Sequence, residues 1–122
     1  AWTGGVLQVG AFNSSNQSGT FTGANLAATI DTTAKQLTAG RRSLVAGCYP
    51  IIDGGTITVA VAGKQKMTEA TSYGTAQSQA TSGKVPLRKR AMYHQFRAGI
   101  AASGTWTHAQ GIQPIAAPAG ER

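Results

Sequence analysis

The chain has 122 residues, the length of about one domain, and Ala (21), Gly (16), Thr (15) and Ser (8) fill almost half of it. Charged residues are only 12%, yet eleven Lys and Arg against four Asp and Glu leave a net charge of +7. No apolar run approaches the ~18–20 residues of a membrane span, so no membrane-spanning helix is expected, and the lone Cys48 excludes a disulfide framework.

The opening Ala1-Trp2-Thr3-Gly4-Gly5 has neither a basic n-region nor an apolar h-region, so it does not read as a secretory leader. It also lacks an initiator Met, which reads as a processed start or as a piece of a longer chain. Gly and Pro interrupt most windows long enough for a helix, and short runs alternating with period two appear instead. Gly5–Val9 and Asn25–Ile30 are expected strands, separated by a polar loop from Asn13 to Gly19. Arg42-Ser43-Leu44-Val45 leads into the apolar run around Cys48, where a lone Cys reads as a small core residue. Asp53-Gly54-Gly55 then separates Cys48–Ile52 from Thr56–Val61, and two β-prone runs around an Asp-Gly turn predict a hairpin. In the second run Ile57, Val59 and Val61 share one face. The stretch from Glu69 to Gly83 is polar and aperiodic, and reads as an exposed loop.

Lys84-Val85-Pro86-Leu87-Arg88-Lys89-Arg90 is the densest basic segment, read as a solvated turn before a strand. From Met92 to Ile100 the alternation puts Met92, His94, Phe96, Ala98 and Ile100 on one face. Ala101–Gly104 is expected to turn the chain into a return strand at Thr105–His108, and Ile112–Ala117 closes the fold. About seven short antiparallel strands with long polar loops predict one all-β domain over residues 1–122, a β-sandwich.

Catalysis needs titratable groups that converge, and Asp31, Asp53, Glu69 and Glu121 lie far apart in the chain. Two His and one Cys give no zinc spacing, no Gly-x-Ser-x-Gly elbow frames a serine, and no phosphate-binding glycine motif occurs. The expectation is a protein that is not an enzyme and has no metal or cofactor. His94 reads as a core or interface histidine; Trp106, Phe96, Ile57 and Val59 read as core. Lys84, Arg88, Lys89, Arg90 and Arg97 are the candidate contacts to a neighbouring subunit or a polyanion, since such cations can track phosphates. Tyr73, Gln77 and Gln79 are the candidate interface arm. Trp2, Tyr73 and Trp106 leave a carbohydrate- or receptor-binding domain as an alternative, beside a small basic nucleic-acid-binding module.

Two phrases near the end, Arg88–Ile100 and Gly104-Thr105-Trp106-Thr107-His108-Ala109-Gln110-Gly111-Ile112, resemble the end of bacteriophage virion structural proteins. The closing Ala119-Gly120-Glu121-Arg122, the segment Gly40-Arg41-Arg42-Ser43 and the run Tyr49–Gly55 add to the likeness. It covers most of residues 26–122 and carries over no catalytic residue. In that family the domain often ends a longer tail, hub or nozzle protein, so this 122-residue chain resembles a fragment or a free-standing version of it. The resemblance implies a structural subunit of a virion, in the tail or head–tail region, assembled in the host bacterial cytoplasm. Its implied partners are copies of itself in a cyclic homo-oligomer, other virion proteins, and packaged or translocating DNA met non-specifically.

Overall fold

The computed structural model describes residues 10–20 and 25–120; the expected strand at Gly5–Val9 lies outside them, as does Trp2. Among the described residues nine strands form three antiparallel sheets, without a helix, in an all-β, sandwich-like arrangement. Strands β1 (Gly10–Phe12) and β2 (Ser18–Thr20) make a small hairpin. Its turn is held by Asn13, whose Oδ1 accepts the Ser15 and Gln17 amides at 2.9 and 3.0 Å.

The four-stranded sheet runs in the order β3 (Ala28–Asp31), β8 (Tyr93–Ile100), β5 (Ile57–Lys64), β6 (Gln77–Ser78). The three-stranded sheet has β4 (Ser43–Ile52) at its centre, between β7 (Val85–Ala91) and β9 (Ala109–Pro118). Alternation decides what each sheet buries. Ile57, Val59 and Val61 of β5 and Phe96 and Ala98 of β8 meet Val45 and Cys48 of β4 and Val85 and Leu87 of β7. Leu37, Ile52 and Ile112 close the margins of this core. Cys48 is wholly buried and desolvation raises its thiol to about 11, so it packs as a small apolar residue.

Both expected long hairpins are corrected. Strands β4 and β5 do not pair: β4 bonds to β7 and β9, whereas β5 bonds to β6 and β8. The Asp53-Gly54-Gly55 turn reverses the chain but carries it across the core, with Gly55 at φ +90. The inward faces of β4 and β5 therefore bury against each other, which satisfies the same alternation that a hairpin would. Residues Thr105–His108 form no strand, and the chain after β8 again crosses over, to β9.

The basic segment is not a turn. Val85, Leu87 and Ala91 are buried, making it the edge strand β7, where Pro86 and exposed cations are tolerated because no further strand pairs there. At Met92 the chain bends directly from β7 into β8 and so switches sheets without a loop. The two sheets close in at this corner: a Cβ on Gly63 would lie 2.8 Å from that of Ala91.

Candidate functional site

The two sheets differ in what covers their outer faces. On the four-stranded sheet the polar stretch after β5, expected as an open loop, folds back along the sheet. Tyr73 bridges to Ala62, the Gly74 amide donates to the Val61 carbonyl at 3.1 Å, and Thr71 Oγ1 donates to Gln95 at 3.2 Å. The Arg97 guanidinium lies over the Tyr73 ring, 4.3 Å from its centroid. Its Nε and Nη2 donate to the two carboxylate oxygens of Asp31, each at 2.7 Å. That paired hydrogen bond holds the Asp31 carboxyl below its ordinary range and raises the Arg97 guanidinium further above neutrality.

Of the candidate residues, Arg97 and Tyr73 thus come together, but toward each other. Arg97 is engaged by Asp31 and Tyr73, and the Tyr73 hydroxyl is buried without a hydrogen-bond partner. Gln79 donates to the Gly83 carbonyl at 2.9 Å, while Gln77 is exposed on β6. Lys84 is half-buried, its stem folded against Gly47, whose added Cβ would meet the Lys84 Cε at 2.6 Å.

Arg88, Lys89 and Arg90 are exposed on the β7 edge. Two shallow grooves flank them. One, of about 440 Å³, includes Val61, Gln77 and Pro86 in its wall; the other, of about 620 Å³, includes Leu44, Ala117 and Pro118. Arg88 and Lys89 border both.

The outer face of the three-stranded sheet is covered less: among the described residues the turn before β7 reaches it, with the Lys84 stem over Gly47 and Gly83 beside Tyr49. Register puts Leu44 beside Arg90 and Ala117, Tyr49 beside Gln113, and Gly47 beside Pro86 and Ile115. Tyr49 and Ile51 are 40% and 44% exposed. This apolar face, bordered by the β7 cations, was not singled out in the sequence. Its signal was the off-phase residues of the Cys48 run, which are apolar where a solvated face would be polar.

At the far end of the sandwich from Met92, Asp53 is held more firmly than a turn residue needs. Its Oδ1 accepts the Thr107 and His108 amides at 2.8 and 3.1 Å, and its Oδ2 accepts the Thr107 hydroxyl. These bonds lower its carboxyl to about 2. The His108 ring Nδ1 lies 3.2 Å from the same carboxylate. A carboxylate saturated in this way pins the Thr105–His108 segment to the β4–β5 turn and has little basicity to lend to catalysis. Trp106 is half-buried there against Gly55 and Gly104, outside the central core in which Phe96, Ile57 and Val59 lie.

His94 is fully buried, and burial lowers its pKa below the ordinary imidazole value. Nε2–H donates to the Lys89 carbonyl at 3.2 Å, while Nδ1 has no partner. Among the described residues, no group of three or more His, Cys, Asp or Glu side chains is placed to hold a metal ion, and no helix is long and apolar enough to cross a membrane. Neither a protein-family model nor a curated protein matches this chain.

Proposed function

We propose that this chain is a structural subunit of a bacteriophage particle, in the tail or head–tail region, that works through its interfaces in a symmetric assembly. The observation that carries the assembly reading is the exposed apolar part of the outer face of the three-stranded sheet, around Tyr49 and Ile51. Leu44, Tyr49, Ile51, Ile115 and Ala117 share one side of a sheet whose two outer strands, β7 and β9, each pair on one side only among the described residues. An apolar sheet face with unpaired edges is a hazard in an isolated subunit and a joint in an assembled one. The virion setting comes from the resemblance of Arg88–Ile100 and Gly104–Ile112 to phage structural proteins. Copies of the chain in a ring and other virion proteins are its proposed partners.

Native mass measured at low and at high salt tests the reading. A salt-stable species of many copies is expected, and Ile51→Asp should break it down to smaller species by placing a charge in the contact. A 12.5 kDa monomer at both salt concentrations, for a chain purified from its own source, overturns it.

A further inference from the structure

We propose that the Met92 end of the sandwich binds the phosphate backbone of a nucleic acid, by charge and without reading base sequence. The cations concerned are scattered along the chain, and the topology gathers them. Lys35 exchanges backbone hydrogen bonds with His94, at 3.1 and 2.9 Å. His94 in turn pairs with Gly63, and Lys64 with Tyr93. The Lys89 stem lies over Gly63, whose added Cβ would sit 2.8 Å from the Lys89 Cε. The Arg42 amide donates to the Gly120 carbonyl at 3.2 Å, and an added Cβ on Gly120 would sit 3.1 Å from an Arg90 guanidinium nitrogen. Arg42 also shares a cleft of about 190 Å³ with Gln65, Lys66 and Met92.

Lys35, Arg42, Lys66, Lys89 and Arg90 therefore cluster around one end, with Lys64 buried beside them. Among the described residues the carboxylate nearest to them in the fold is Glu69, which accepts the Gln65 amide at 3.1 Å. Asp31 is committed to Arg97, and Asp53 sits at the opposite end with Thr107 and His108. Among the described residues Glu69 is one carboxylate beside several cations, and a polyanion relieves the repulsion of the remaining excess while releasing its own counterions. The Arg42 Nε is buried without a partner, so its guanidinium has lost water on one side with no acceptor in exchange. The adjoining cleft is open to solvent and has room for a phosphate group. Guanidinium groups suit that ligand because their paired N–H groups match two phosphate oxygens.

Phosphates fit this end better than an acidic peptide strand. The main-chain groups of Lys35 and Arg42 are paired, with His94 and with Gly120 and Ala119, so those two segments offer no edge for strand addition. The cations come from four separate segments at the ends of both sheets, an array suited to a dense line of backbone charge. Tyr93 is half-buried between them and offers no row of rings for stacked bases.

The inference deepens the assembly reading and rests on it only for where nucleic acid is met. Binding is read on the full chain with a short, labelled, mixed-sequence DNA duplex, titrated between about 50 and 200 mM salt. Affinity should fall steeply with salt. Lys66→Gln with Arg90→Gln should weaken low-salt binding at least about tenfold and reduce the log–log salt slope by about 1.8. Lys84→Glu, with the same net charge but near the other end of β7, should cost less than about threefold. An unchanged thermal midpoint in each variant shows that the fold is intact. Equal losses in the two variants, no salt-dependent binding by the unaltered chain, or tighter binding of polyglutamate than of DNA at equal charge each overturn the proposal. The last would give this end to an acidic protein. Native mass is read on the unaltered chain, apart from these titrations, so the assembly reading and this one fail separately.

Discussion

The two sheets share one core but treat their outer faces in opposite ways. Behind β5 and β8 the chain spends Thr71, Tyr73 and Gly74 on covering its own sheet, and locks the cover with Arg97 and Asp31. On the outer face of β4 it leaves Tyr49 and Ile51 exposed, beside an edge strand that carries Arg88 and Arg90. On the proposed assembly reading, a chain that covers one face from within and leaves the other more open would have a defined direction of growth. The difference is why the proposed assembly contact is assigned to the sheet whose outward residues around Tyr49 and Ile51 are apolar and exposed.

The comparison can be broken at its common centre. Phe96→Ala removes a ring that is 3% exposed between the sheets and should cost about 3–5 kcal/mol, read by denaturant unfolding. Both outer faces should be lost together in a single transition; separate transitions would show that the sheets do not share one cooperative core.

Acid should act next, through His94. Its folded pKa lies below the unfolded value, so between those two values the unfolded chain binds more protons. Stability should therefore be full above the ordinary imidazole range and fall as pH drops through about 6.5 toward the folded pKa. A second loss follows as Asp53 titrates, from the ordinary value of 3.8 down to about 2. His94→Gln should remove the first loss and keep the second. A midpoint for the unaltered chain that does not move between pH 7 and 5 would sink this account.

The smallest effects sharpen the contrast between the faces. Tyr73→Ala uncovers the closed sheet and gives up the Arg97 contact, for about 1–2 kcal/mol, whereas Tyr73→Phe should be neutral or slightly stabilising because the lost hydroxyl is buried and unpaired. Ile51→Ser on the open sheet should stay within about 0.5 kcal/mol for the isolated chain. Equal costs from Tyr73→Ala and Ile51→Ser would abolish the distinction.

The faces of the long strands were legible, and their partners were not. Met92, His94, Phe96, Ala98 and Ile100 are the buried set of the run ending in β8, as alternation required. Turn residues such as Asp53-Gly54-Gly55 encode a reversal of direction, however, and a hairpin and a crossing between sheets need the same reversal. Only packing of the β4 and β5 faces against each other selects the crossing. Strand β7 was hidden because Pro86 and three adjacent cations look like a turn, although Val85, Leu87 and Ala91 mark its buried side. The exposed run Arg88-Lys89-Arg90 could be read directly. Its enlargement with Lys35, Arg42 and Lys66 could not, because those residues meet through pairings that span tens of residues.

The direct passage from β7 to β8 at Met92 also bears on how the chain reaches this structure. Successive long strands, β4 then β5, β7 then β8, and β8 then β9, always enter different sheets. The principal pairings, β4 with β9 and β5 with β8, therefore close long loops before any contact repays the lost chain entropy. Local nucleation by a large hairpin is denied to the core strands. Refolding belongs in the slow regime of non-local β proteins, roughly milliseconds to seconds, and until β9 arrives the central strand β4 lacks one of its two neighbours.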